Sequence, residues 1–564
     1  MGAWNVETAE LGGRSRADII QAKLQPIVSS QGVHTQGVGP KRHYLDIPDP
    51  TTNLAYPLRP IPGSIADLDI IKYHCDHDNH KYVRDCLEML RVAGGLDNGH
   101  RLRRGDLGMW KYIYLEDKWT AEAFSTTRPH SGDRGAPVAP DGLGLRKSRR
   151  ATWEPRLSLP TPHTPKPFVA LPSPCDDDYP RIFHMFWTGP FTDKPYAAVM
   201  SFLYTQNTGI HLPQNHATSV CRPQFWFWVN PGPSGSATNS SALREMYDEL
   251  KNNPWSSPFL HPRFQDVIQF KLWNITEQLD NTPELKDEWR SHKALFNSGG
   301  YKVSDGNSTN IFAAMKTALG LGGHTLDKLS TVMSDMARFL LCHRYGGVYL
   351  DADNLLLRDW EELWGWKGAF AYRWSRLTYY NTAILRMHKH SALGTFLFRT
   401  ALKNDLDFHP MTISKYLNDA NLQDLLYRVP DALFDPAWLN IEVAYQRERP
   451  PQPLFHRFED FFETPMANSA GPAALGFDGF FKGAYSYHWH NSYWTPFDRT
   501  RDWPDLGPRF KFSEEAGRTA AREKAAGSLN EDHPDLDWST IMKRTFEAYI
   551  RGERPNMYGE WILW

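Results

Sequence analysis

The stretch from Ser334 to Asp353 constrains this 564-residue chain more than any other part, because it joins an amphipathic helix, a helix stop and a strand ending on two carboxylates. Between Leu326 and Arg344 the apolar residues Leu329, Val332, Met333, Met336, Ala337, Leu340 and Leu341 recur at three-and-four spacing, which predicts a helix. Asp335 and Arg338, three apart, then project from neighbouring positions on it. Gly346-Gly347 supplies the permissive backbone that ends a helix, and Val348-Tyr349-Leu350 begins a strand. Strand side chains alternate in direction, so Asp351 and Asp353 point the same way at the strand end.

Two like charges held that close repel each other, which favours a divalent cation, and oxygen ligands suit a hard ion such as Mg²⁺ or Mn²⁺. A metal held this way keeps coordination positions for a diphosphate. An isolated Asp-x-Asp otherwise only polarises a strand-to-loop turn, so the surroundings must decide between the two.

Those surroundings resemble a known family. Ser334-Asp335-x-x-Arg338 and Tyr345-Gly346-Gly347-x-Tyr349-Leu350-Asp351-x-Asp353 are similar to the sugar-binding region of family-32-type glycosyltransferases. That group includes Golgi α-1,4-glycosyltransferases and the fungal initiating α-1,6-mannosyltransferase, and the glucosylating domains of large clostridial toxins share a similar block. Upstream, the run Tyr179 to Gly189 resembles the family's first strand, written Ile-Pro-Lys-x-x-His-x-x-Trp. Downstream, His488-Trp489-His490-Asn491-Ser492-Tyr493-Trp494 resembles its closing motif, a His followed by an aromatic cluster. The three blocks stand in the family's order and span little more than half of the chain.

The resemblance implies an α/β fold: one Rossmann-like domain of the GT-A type, with the nucleotide-sugar at the carboxyl ends of the parallel strands. It implies Asp353 as a direct metal ligand and Asp351 as a contact to the metal or the donor ribose. It places Asp335 and Arg338 on hydroxyls of the donor sugar, Trp187 near the nucleobase, and Asn381 facing the site. The implied reaction is hexose transfer from a nucleoside-diphosphate sugar to a hydroxyl of a glycan or glycoconjugate, with retention and with Mn²⁺ or Mg²⁺ as cofactor. In that chemistry the leaving phosphate takes the acceptor proton, and the sequence identifies no protein base or nucleophile.

In the closing motif, an extended run from Tyr485 to His490 puts His488 and His490 on one face, where either could complete the metal shell or bind the diphosphate. His490 stands where the family more often has an aromatic, so the sequence leaves the working histidine undecided.

Composition sets wider bounds. A net charge of −2 argues against a nucleic-acid partner. The five cysteines, Cys75, Cys86, Cys175, Cys221 and Cys342, are too scattered for a disulfide scaffold, although one or two bridges are compatible with them. His74-Cys75-Asp76-His77 with His80 and Cys86 invites a zinc reading but lacks Cys-x-x-Cys spacing; a polar surface turn leading into a helix is the default.

Five regions follow from patterning. Residues 1–60 are expected to be irregular, 61–127 a small helical or irregular extension, and 128–178 a Pro/Gly/Arg-rich linker. Residues 179–505 form the GT-A domain and 506–564 a charged, partly helical tail. Gln224–Asn230, Val267–Trp273 and Phe370–Tyr372 are expected as strands, and Ser391–Leu402 and the segment around Trp538–Ile550 as helices.

No run of about 18 apolar residues occurs, and the first thirty residues lack a signal-peptide core, so neither a membrane span nor a secretory signal is visible. The family resemblance nonetheless implies a Golgi or secretory-pathway lumen. Sequons at Asn239, Asn274 and Asn307 fit that setting without deciding it. Two rival functions belong to other classes: a non-catalytic glycan- or nucleotide-binding relative of the same fold, and a two-metal phosphoester hydrolase, which needs more ligands than this block offers.

Overall fold

The structure is a computed structural model; it describes residues 59–75, 110–116, 175–214, 220–230, 241–291, 328–374, 377–436, 483–488, 503–524 and 538–564, with short pieces at 27–28, 42–45, 86, 89–90 and 501. Along the chain the elements that matter are β1 (Ile27–Val28), β2 (Arg42–Tyr44), β3 (Ile65–Ala66), α1 (Leu68–His74), β4 (Ile113–Glu116) and β5 (Ile182–Thr188). Then come α2 (Asp193–Thr205), β6 (Gln224–Asn230), α3 (Ala242–Asn252), β7 (Ile268–Leu272), α4 (Ile275–Asp280) and α5 (Lys328–Tyr345). The site-bearing part continues with β8 (Val348–Leu350), β9 (Asn354–Leu356), α6 (Glu361–Trp364), β10 (Phe370–Arg373), β11 (Tyr380–Arg386), α7 (Ala392–Leu402), α8 (Pro410–Asp419) and β12 (Tyr427–Val429). β13 (Ser486–His488), α9 (Lys511–Lys524) and α10 (Trp538–Arg551) complete it.

The fold is α/β around a seven-stranded sheet in the order β12-β10-β11-β8-β5-β6-β7. Strands β5, β6, β7, β8, β10 and β12 run one way and β11 opposes them. Chain order steps outward from β5 through β6 to β7, then jumps back to β8 on the other side of β5. That reversal makes the carboxyl ends of β5 and β8 a topological switch point, where open α/β sheets place their ligands.

Both sheet faces are covered, as a parallel sheet requires. Phe183, Met185, Phe227, Val348 and Leu350 face one apolar cluster, which α2, α3 and α10 also enter. Phe186, Trp228, Tyr349, Ala371 and Leu385 face the other, formed with α4, α5, α7 and α8. The expected strands and helices lie where patterning put them, with ends shifted by a residue or two.

A clamp joins two sequence blocks at the sheet centre. His184, fully buried in β5, has Nε2 2.9 Å from the carbonyl of Gly346, and its Nδ1 accepts from the Trp228 indole N–H at 3.2 Å. Gly346 and Gly347 both have positive φ, 73° and 83°. A Cβ on Gly347 would lie 2.5 Å from the carbonyl oxygen of Ile182, so only glycine fits there.

The N-terminal region departs from expectation. β1 and β2, within the stretch expected to be irregular, join β4 and β3 in a four-stranded sheet ordered β1-β2-β4-β3. Strands of two to four residues are too short to leave a period in sequence, and pairing makes them. This sheet shares the main core through Tyr44, Ile65 and Tyr114. Cys75 and Cys86 form a disulfide, so they are not zinc ligands, and Cys175–Cys221 form a second. The linker segment 128–174, with its basic run, lies outside the described residues. No described helix is long and apolar enough to cross a membrane.

Burial pulls the His184 imidazole down to about 3, so it is neutral in the folded chain and takes a proton only after unfolding. Above an unfolded value of about 6.5 its contribution to stability is complete; as pH falls from there toward 3 the unfolded chain binds the extra proton and stability drops. Urea unfolding at pH 7 and pH 5 should therefore reveal a His184-dependent loss of about 2 kcal/mol between the two, missing from His184→Gln. That variant should itself be about 1–3 kcal/mol less stable at pH 7.

Candidate functional site

The switch point gathers the charged residues of the motif block. Asp351 follows β8 directly, its N–H donating to the Ala383 carbonyl of β11 at 2.8 Å. Asp353 immediately precedes β9. Beneath them, α5 presents Asp335 and Arg338, whose side chains are 10% and 6% exposed. Packing buries these charges; pairing makes that tolerable.

Arg338 is the hub. Its Nη2 lies 2.9 Å from Asp335 Oδ1 and 3.3 Å from Asp351 Oδ1. Nη1 donates to the Thr382 hydroxyl at 3.0 Å, and Nε donates to the Ser334 carbonyl at 3.3 Å. Its guanidinium lies over the Tyr349 ring, and the Tyr349 and Ser334 hydroxyls are 3.1 Å apart. With these contacts the buried Arg338 holds both carboxylates at the carboxyl end of β8.

Burial raises the Asp335 carboxyl, and the Arg338 charge partly offsets it. Burial also pushes Asp351 up to about 6, with Arg338 opposing and the negative charge of Asp353 adding to the rise. Asp351 is 24% exposed along its side chain, more than Asp335 at 10%.

On the other side, β13 pairs with β9 so that His488 is opposite Asn354, the neighbour of Asp353. His488 Nε2 is 3.3 Å from Asp353 Oδ1. Its Nδ1 is 2.8 Å from the Tyr372 hydroxyl and 3.7 Å from Asp435 Oδ2. Burial disfavours the imidazolium, but Asp353 and Asp435 outweigh it and raise the imidazole to about 10.

The remaining expected residues are placed less directly. Trp187, near the end of β5, donates its indole N–H to the Pro190 carbonyl at 2.9 Å and borders a small recess lined by Phe191, Val229, Met246 and Asn253. Asn381 is the second residue of β11, and its side-chain oxygen accepts from the Ala383 N–H at 2.9 Å. Its neighbour Thr382, on the alternate face, is the one that meets Arg338. His490 and Trp489 lie outside the described residues. Sequence reasoning missed Thr382, Tyr372 and Asp435. None stands in a spaced motif, and only the sheet brings them beside Arg338 and His488.

Asp351 and Asp353 offer an all-oxygen pair for a hard divalent ion. Among the described residues no group of three or more His, Cys, Asp and Glu side chains is arranged as a metal cage.

No protein-family profile and no curated protein matches the chain. Among solved structures it is similar to a PaToxG glycosyltransferase, at 15% identity over 43% of this chain and 69% of that one, with a TM-score of 0.23. It is also similar to an active-site mutant of LgtC, at 13% identity over 60% of this chain and 95% of that one, TM-score 0.21. A third likeness, at 9% identity over 65% of this chain and 82% of that one, TM-score 0.21, is to the UDP-bound glycosyltransferase domain of the YGT toxin. TM-scores of this size carry no argument, and the fold rests on the strand order and directions given above.

Arg338→Ala would leave the buried Asp335 and the half-buried Asp351 without their shared cation and should lower stability by about 3 kcal/mol, measured by chemical denaturation. Arg338→Lys should recover only part of this, because an ammonium cannot span Asp335, Asp351 and Thr382 together.

Proposed function

We propose that this chain is a glycosyltransferase of GT-A type that moves a hexose from a nucleoside-diphosphate sugar to a hydroxyl of a glycan or glycoconjugate, with retention. The observation that carries this reading is the convergence of Asp335, Arg338, Asp351, Asp353 and His488 on the switch point between β5 and β8. Carboxylates at the carboxyl ends of parallel strands suit a sugar-phosphate ligand better than an apolar one. The family resemblance of the three sequence blocks supports the same reading.

In this reading Asp351 and Asp353, with His488 beside them, hold Mn²⁺ or Mg²⁺, which when bound offsets the charge that builds on the leaving diphosphate. Asp335 and Arg338 hold donor-sugar hydroxyls, and the Arg338 charge also offsets part of the burial cost on Asp335 and keeps its carboxylate aimed. Trp187 offers its ring to the nucleobase at the end of the adjacent strand, and Asn381 stands by the sugar. The proton of the acceptor hydroxyl passes to the leaving phosphate oxygen as the new glycosidic bond forms on the same face. The two disulfides suit folding in an oxidising compartment and agree with a Golgi or secretory-pathway lumen.

The test is nucleotide release from a panel of UDP- and GDP-sugars with Mn²⁺, Mg²⁺ or EDTA, comparing the full chain with Asp353→Ala. One donor should release its nucleotide only with metal, with at least a 100-fold loss in the variant, on the scale of removing one electrostatic contact to a transition state. Binding of a nucleotide without release, across a panel of glycan acceptors, would favour the non-catalytic relative. Absence of calorimetric binding to any nucleotide would sink both.

A further inference from the structure

Resting on the reading of Asp351 and Asp353 as the metal-bearing pair, we propose that Asp435 and Tyr372 are positioning residues that fix the His488 ring against Asp353. No sequence motif contains either residue, and they reach the site from separate segments. Tyr372 lies on β10, and Asp435 follows the short turn after β12. Both are buried, Tyr372 fully and Asp435 at 2% exposure.

An imidazole that serves a site must have its tautomer and its ring plane set by something other than the group it serves. Here Nδ1 meets the Tyr372 oxygen at 2.8 Å and the Asp435 carboxylate at 3.7 Å. The raised imidazole carries a proton on each nitrogen, with Nδ1–H directed at these oxygens and Nε2–H at Asp353, so the contacts to Nδ1 set which way Nε2 faces. In the metal-bearing reading Nε2 would give up that proton to join Asp353 on the ion. The ring is thus held from behind with Nε2 toward Asp353.

The backing is itself tied down. The Tyr485 N–H donates to the Leu433 carbonyl at 2.7 Å, the Ser486 hydroxyl donates to the Phe434 carbonyl at 3.0 Å, and the Asp435 N–H donates to the Asp431 carbonyl at 2.7 Å. β13 and the segment 433–435 therefore move as one, and Asp435 cannot drift from His488 without breaking main-chain contacts. Asp435 meets the site at His488 Nδ1.

The test uses the full chain and its Asp435→Asn, Tyr372→Phe and His488→Gln variants, each verified as folded by circular dichroism. Calorimetry of Mn²⁺ with UDP or GDP present should show binding weakened about 10–100-fold in Asp435→Asn and less in Tyr372→Phe. Adding Asp435→Asn to His488→Gln should cost nothing further, because both act through one ring. Unchanged Mn²⁺ affinity in Asp435→Asn, or full additivity with His488→Gln, would overturn the inference. Should the unaltered protein bind no Mn²⁺, the metal-dependent reading falls and nitrogen-15 spectra of the histidines judge the positioning role separately. A His488 signal, identified by its loss in His488→Gln, that is Nδ1-protonated and altered by Asp435→Asn upholds it, and one indifferent to that substitution refutes it.

Discussion

The hydrogen bond between His184 and the Gly346 carbonyl is the contact on which the rest of the structure depends. It fixes the Gly346-Gly347 turn beneath the central strand β5, in a backbone conformation that other residues resist and in space that a Cβ would fill. With the turn so held, β8 enters beside β5 with Phe183 opposite Val348. That register delivers Asp351 to the switch point and sets α5 behind it, where Arg338 can reach both Asp335 and Asp351. A neutral, buried ring is the right device here, since each nitrogen has one partner and neither requires charge.

At the switch point the charges are arranged as two parallel sets. Asp335, Arg338 and Asp351 form one, and Asp353, His488 and Asp435 the other. Each has a cation between carboxylates. Buried ion pairs contribute little net stability because desolvation offsets their attraction, so the consequence of these sets is chiefly positional. They hold Asp351 and Asp353 at the carboxyl edge with orientations that surface carboxylates would not keep. The balance is not even, because burial and mutual repulsion still lift Asp351, and a divalent ion placed between the pair would relieve that.

Much of this was legible along the chain. The helix through Asp335 and Arg338, the stop at Gly346-Gly347 and the strand Val348–Leu350 all came from local period and backbone preference, and all three are present. The strand Gln224–Asn230 was bounded to the residue because a parallel, doubly covered strand is apolar throughout. The N-terminal strands were not legible, since two or three residues carry no period. The bridge between Cys75 and Cys86 was not legible either, because cysteine spacing admits several pairings.

What local sequence settled, then, is the identity of the chemistry-bearing side chains and the elements that carry them, because periodicity and turn preference act over a few residues. Tertiary structure alone decided which partners those side chains have. Thr382 reaches Arg338 from 44 residues away, and Tyr372 reaches His488 from 116. Such contacts are set by strand order and register, and the energies that select them are sums over a whole packed sheet that no short window of sequence contains.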